Sequence, residues 1–197
     1  MDELRVAAVI LAAGAASRMG RNKMLLDVDG APMVRRAALV AIDAGCSPVV
    51  IVVGNDETLV RQALDGMACE FVVNRLFTGP TSGSLHAGLD ALDASVDATI
   101  VLLADMVRVS TPMLIALIAS ARVSDSPLCV SRYGDVLAPP LLFRRALWPE
   151  LLAWHGEGCG KAVVKAHLNE ALMHDWPEDS LRDIDTPDDY QQLVAAT

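Results

Sequence analysis

The strongest constraint on the fold is a set of unbroken apolar runs of strand length, each closed by a glycine or an aspartate. Val6 to Ala13 ends at Gly14, Val49 to Val53 ends at Gly54, and Thr99 to Leu103 leads into Ala104-Asp105. A strand with one wet face alternates apolar and polar residues, so uninterrupted runs mark strands covered on both faces. Helix-like stretches separate them: Pro32 to Ala44 stopped by Gly45, Glu57 to Leu64, and Ser84 to Leu92, with Glu70 to Val73 as a further short strand. Strands alternating with helices predict an α/β layer structure around a mostly parallel sheet.

The second half is less regular. Thr111 as cap with Pro112 in the first turn predicts a helix start, and Pro127 to Ser131 is strand-like. Tyr133 to Phe143 contains Pro139-Pro140 and reads as a loop or sheet edge, because proline removes ladder donors. Trp148 to Trp154 and Lys161 to His167 read as helices on either side of Gly156-Glu157-Gly158-Cys159-Gly160. Near the end, Thr186 caps and Pro187 opens a further helix, with Asp189 three residues after the cap, which puts Asp185 just ahead of it. No repeat, coiled-coil seam or long low-complexity linker divides the 197 residues, and a single domain over 1–197 is the economical expectation.

Charge narrows the partners. A formal charge of −9 argues against nonspecific attraction to nucleic acid or an anionic membrane, yet a metal and a few local cations can still hold a small anion. Cys46, Cys69, Cys129 and Cys159 form no CxxC pair, so neither a zinc knuckle nor a redox dithiol is expected. The start at Met1 to Arg5 lacks the basic lead of a secretory signal, and the apolar run to Ala16 stops at Arg18, too short to span a bilayer. A cytoplasmic protein is expected.

The chemistry gathers in three places. From Leu11 to Lys23, small residues after a buried strand let the backbone approach a ligand and offer amides to phosphate oxygens. Arg18 adds a forked donor and Lys23 a compact charge. The loop is neither GxxxxGK[ST] nor GxGxxG. Asp105, at the end of the third apolar run, is placed to reach the ligand crevice of an open α/β sheet, or else to cap a helix. The Gly79 to Leu85 turn can hold a nucleobase edge or cap the helix that follows.

Leu11, Ala12, Ala13, Gly14, Ser17, Arg18, Met19, Gly20 and Lys23 match the pattern LAAGxSxRMGxxK, and here the chain resembles the MobA-like NTP transferases. Gly30-Ala31-Pro32-Met33, Asn74, the Gly79-Ser84-Leu85 pattern, Asp105-Met106 and Asp183-Ile184-Asp185-Thr186-Pro187 extend the resemblance along nearly the whole chain. It implies a Rossmann-like three-layer nucleotidyltransferase fold. It also implies Mg2+-dependent transfer of a nucleotide from a triphosphate to a phosphorylated acceptor, with pyrophosphate released. By that resemblance Leu11, Ala12, Ala13, Gly14, Asn74, Gly83 and Ser84 hold the nucleotide, Arg18 and Lys23 the triphosphate, and Asp105 with Asp185 the Mg2+. The LAAG form resembles the cytidylyltransferase branch acting on molybdopterin, so CTP is expected before GTP, with a molybdoenzyme-maturation protein as a possible partner. Transfer to another phosphorylated metabolite, or a non-catalytic nucleotide-binding role, are the alternatives.

Two departures bear on the acceptor. Asp105-Met106 continues into Val107-Arg108 where relatives carry proline, and Leu137-Ala138-Pro139-Pro140 lacks the Gly-His that relatives place before an apolar strand. Lys161 stands where relatives often carry arginine, and is either a plain surface lysine or a contact for an anionic acceptor.

Overall fold

The unbroken apolar runs pair side by side as parallel strands. The computed structural model describes residues 4–14, 22–54, 56–158, 160–181, 184 and 189–191. In chain order they form β1 (Val6–Leu11), β2 (Asp27–Val28), β3 (Ala31–Pro32), α1 (Met33–Asp43), β4 (Val49–Val53), α2 (Glu57–Ala63), β5 (Glu70–Val73) and α3 (Thr81–Asp90). There follow β6 (Ala98–Leu103), α4 (Thr111–Val123), β7 (Leu128–Tyr133), β8 (Val136–Arg144), α5 (Trp148–Ala153), α6 (Lys161–Ala166) and β9 (Leu172–Trp176).

Seven strands make one sheet in the order β5-β4-β1-β6-β8-β7-β9, and β2 with β3 forms a separate small ribbon. Only β8 runs against the others: it is antiparallel to β6 and β7, while β1 pairs in parallel with β4 and β6, β4 with β5, and β7 with β9. The chain leaves β1 towards β4 and β5, then returns to the other side of β1 at β6. That reversal opens a crevice at the carboxyl ends of β1 and β6, the position where open α/β sheets bind ligands.

Both faces of the sheet are covered, as the apolar runs require. Ala8, Ile10 and Ala12 face a core built with Val34 and Ala38 of α1, Val60 of α2 and Leu114 and Leu117 of α4. Ala7, Val9, Leu11 and Ala13 face the other side, against Leu85 and Leu89 of α3, Leu151 of α5 and Val163 of α6. Full burial of one such leucine contributes about 1.5–3 kcal/mol. Gly88 lets α3 lie close on the sheet, since a Cβ there would stand 2.4 Å from Val9 Cγ1. Burial pushes the thiols of Cys46 and Cys129 up to about 12 and about 11, with Arg144 opposing the shift at Cys129; Cys69 is also a free thiol, and Cys159 lies outside the described residues.

The 133–143 segment is not a loop or an edge. It contains β8, an interior strand between β6 and β7. Its pairing with β6 covers Leu141–Arg144, and its pairing with β7 breaks between Val130 and Arg132, so Pro139 and Pro140 fall in the gap between two paired stretches. Side chains serve the gap: Ser131 Oγ donates to the Pro140 carbonyl at 2.7 Å and Tyr133 Oη to the Pro139 carbonyl at 2.9 Å. Proline is tolerated inside a sheet where such an irregularity removes the need for its missing N–H. The α4 cap is Ser110, whose backbone is extended, and Thr111 is the first helical residue. The predicted helix start at Thr186 lies outside the described residues.

Candidate active site

The crevice is built by three stretches remote in sequence. At the end of β1 the side chains alternate, so Leu11 and Ala13 face the α3 side with Gly14 beyond them, while Ala12 turns into the core under α1 and α4. The Ala104 amide donates to the Leu11 carbonyl at 3.2 Å, joining the ends of β1 and β6 across the switch point. Leu11, Ala13, Gly14 and Lys23 line a cleft of about 290 Å³ together with Phe77, Gly79, Thr81 and Ser84 from the β5–α3 region and Leu103 and Asp105 from the end of β6.

Lys23 sits in a short 3-10 turn, Lys23–Leu25, that starts because the Asn22 side chain accepts the Met24 amide at 3.0 Å. Met24 anchors that turn in the core. Lys23 Nζ lies 2.6 Å from Asp105 Oδ2, the side chains being 20% and 15% exposed. Two residues 82 positions apart in sequence thus meet as a cation and a carboxylate at the cleft wall.

The β5–α3 connection is held from both ends. Asn74, 7% exposed, donates from Nδ2 to Ser84 Oγ and accepts the Leu76 amide at Oδ1, both at 2.9 Å. Its polar atoms are thereby engaged within the protein, and neither it nor Gly83 lines the cleft. The other end is bound by the glycine-rich segment before α6. The Glu157 carboxylate accepts from the Thr81 amide and hydroxyl, the Ser82 amide donates to the Gly156 carbonyl at 3.0 Å, and the Gly156 amide donates to Ser82 Oγ at 3.1 Å. Those Thr81 bonds hold the Glu157 carboxyl below its ordinary range. His86 is structural, with Nε2 2.9 Å from the Leu151 carbonyl.

Leu11, Ala13, Gly14, Lys23, Ser84 and Asp105 of the expected residues therefore come together, Ala12, Asn74 and Gly83 stand behind them, and Arg18 and Asp185 lie outside the described residues. Ile184, next to Asp185 in the chain, is buried with Leu26, Met33 and Val107. Phe77 and Glu157 were not expected. Gly54 carried the trace of Phe77: a Cβ there would stand 2.5 Å from Phe77 Cβ and 2.7 Å from the Ala13 carbonyl oxygen. A hard divalent ion needs only one or two carboxylates when substrate phosphates complete its shell, so Asp105 suits one, although no group of three His, Cys, Asp or Glu side chains gathers as a metal site among the described residues.

In solved structures, the chain is similar to Rv0371c from Mycobacterium tuberculosis H37Rv, with a TM-score of 0.85 and 26% identity over 98% of this chain and 99% of that one. Rv0371c in complex with manganese gives a TM-score of 0.74 at 26% identity, over 98% and 100% of the two chains. In sequence, it is 32% identical over 145 residues to 2-C-methyl-D-erythritol 4-phosphate cytidylyltransferase of Shouchella clausii (strain KSM-K16), covering 68% of this chain and 60% of that curated relative. It is 26% identical over 207 residues to the purine catabolism protein PucB of Bacillus subtilis (strain 168), covering 95% of each. The α/β three-layer architecture with a largely parallel sheet is that of nucleotidyltransferases, and, with residues 8–171 matching the family's own pattern, the chain belongs to the MobA-like NTP transferase domain family.

Proposed function

We propose that this chain transfers a nucleotide from a nucleoside triphosphate to a phosphorylated metabolite, releasing pyrophosphate. The observation that carries the reading is the Lys23–Asp105 pair at the wall of a cleft that also holds Gly14 and Ser84, at the switch point of the sheet. An acceptor phosphate is already anionic near neutral pH and needs no Ser-His-Asp apparatus. Positioning and charge neutralisation are the work left to the protein. Gly14 and its neighbours offer a close backbone approach to the nucleotide, and Lys23 neutralises the phosphate under attack. Arg18 is assigned the departing pyrophosphate. Asp105, with Asp185 by the family resemblance, would hold a divalent cation, which when bound screens the phosphates of both substrates.

The acceptor stays at the level of a phosphorylated metabolite. The similar cytidylyltransferase of Shouchella clausii is named for a polyol phosphate, and nothing in the comparisons singles out molybdopterin. CTP is the donor to test first, on the LAAG form of the first loop. The test is pyrophosphate release with Mg2+ and either CTP or GTP across a panel of phosphorylated acceptors that includes molybdopterin, with products identified by mass. A nucleotidylated product supports the reading. Triphosphate binding without release on any acceptor would replace it with a nucleotide-binding role.

A further inference from the structure

A cavity of about 220 Å³ lies on the α1 side of the sheet and shares one lining residue, Leu103, with the cleft. Met33, Arg36, Ala37 and Val40, at helical spacings on one face of α1, form one wall. Ala104, Met106 and Val107 belong to the other, so the residues on both sides of Asp105 close the cavity. Exposed Leu39 stands at its margin. The small side chains of Ala37 and Ala104 leave space that a close-packed interior would otherwise fill. The volume falls below the roughly 300 Å³ at which sites for drug-sized ligands begin, which sets the scale of the ligand.

Arg36 is the one charged residue in this lining among the described residues. Its Nη1 donates to the Val28 carbonyl at 3.1 Å and meets Asp29 Oδ2 at 3.0 Å, which ties α1 to the β2–β3 ribbon. Its Nε is buried and has no hydrogen-bond partner among the described residues. Thr99 Oγ1 and Trp148 Nε1 share that condition, but neither belongs to a charged group. A donor on a charged group costs more to leave unmade than a neutral one. In a guanidinium, Nε–H and one Nη2–H share an edge, and that edge matches the two oxygens of a carboxylate. The rest of the lining is apolar, and no carboxylate belongs to it among the described residues, so an ammonium carried by the ligand would go unpaired there.

We infer that this cavity is a second ligand site, for a small carboxylate with a branched or aromatic apolar body, and that its occupancy acts on Asp105. The carboxylate takes the Nε edge of Arg36 and leaves Nη1 on Val28 and Asp29. The apolar body lies among Met33, Val40 and Met106, and the unbranched methionines adapt to its shape. The route to the cleft is short. Leu103 lines both cavities, and the Ala104 amide joins the wall to the end of β1 through the Leu11 carbonyl. This site goes beyond the transfer reaction and does not depend on it.

Titrations of the whole chain with 4-methylpentanoate, 4-methylpentanamide and leucine test the inference, followed by NMR at the Met33 and Met106 methyls and the Asp105 backbone amide. The acid is expected to shift all three signals and to bind about tenfold more tightly than its amide or leucine. Arg36→Gln should abolish the preference for the acid over the amide, and Arg36→Lys should keep only part of it, because the fork is lost while the charge stays. Ala37→Leu fills the cavity and leaves the guanidinium in place, so it should bind neither acid nor amide, while a dispersed amide spectrum shows that it folds. Equal affinity for acid and amide, a preference that survives Arg36→Gln, or unchanged binding in Ala37→Leu overturns the site. Methionine shifts beside an unmoved Asp105 amide overturn the effect on Asp105. No nucleotide or turnover enters these readouts, so a failure of the transferase reading is seen separately, as an absence of CTP binding.

Discussion

Replacing Asn74 with alanine isolates the support behind the cleft. Asn74 does not line the cleft, yet it fixes both the turn after β5 and the first turn of α3 through its bonds to the Leu76 amide and Ser84 Oγ, each 2.9 Å long. Its residue is 7% exposed and Ser84 8%, so water cannot readily replace the lost partners. Each bond contributes about 1 kcal/mol net, which makes the expected cost of Asn74→Ala about 2 kcal/mol. Urea unfolding should show a lower midpoint with an unchanged slope, and the melting temperature should fall by about 4–8 °C. Ser84→Ala should cost about 1 kcal/mol, and the double variant should cost less than the sum by about 1 kcal/mol, because the shared bond is lost once. Because the loop carrying Phe77 and Gly79 loses its anchor, KM for the triphosphate should rise more than kcat falls. Additive single variants, or an Asn74→Ala protein within about 0.5 kcal/mol of wild type, would refute the support role.

Asp105→Asn should lower turnover by about a hundredfold or more while shifting stability by no more than about 1 kcal/mol, since the Lys23 pair is partly solvated; ordinary turnover in a folded variant would remove Asp105 from the chemistry. Gly88→Ala drives a methyl to 2.4 Å from Val9 Cγ1 and 3.1 Å from Val52 Cγ2, and should cost about 1–3 kcal/mol by thermal unfolding; an unchanged midpoint would mean α3 is not held close to the sheet. His167 bonds Glu150 and then Glu170, and these carboxylates raise its pKa above the ordinary 6.5. Its contribution to stability is therefore full below 6.5 and is lost as pH rises through the folded value. The stability gap between wild type and His167→Gln should be wider at pH 5.5 than at pH 8.5, and a gap independent of pH contradicts the pairing.

The sequence alone determined the central strands, because burial on both faces leaves an unbroken apolar run that no wet strand would carry. β4 and β5 stand at their predicted limits, and β1 and β6 within a residue or two of theirs. It also singled out Gly14, Lys23 and Asp105, which the fold gathers along one cleft; Gly14 and Asp105 follow the ends of β1 and β6, where open α/β sheets bind ligands. Tertiary structure decided what depends on distant partners. The sequence reads the helix from Ser84 with the preceding turn as its cap, yet α3 begins at Thr81, where Glu157 and the Gly156 carbonyl satisfy its first amides. Pro139-Pro140 enters the sheet interior because Ser131 and Tyr133 bond the proline carbonyls in a gap of the ladder. β9, Leu172-Met173-His174-Asp175-Trp176, has no clear alternation, and its place at the sheet edge is set by pairing with β7. A cavity at Lys161 and Lys165 exists only because β8 and α6 meet. Local patterning records which residues are buried, whereas hydrogen-bond partners and cavity walls come from segments dozens of residues away, and only the folded chain brings them together.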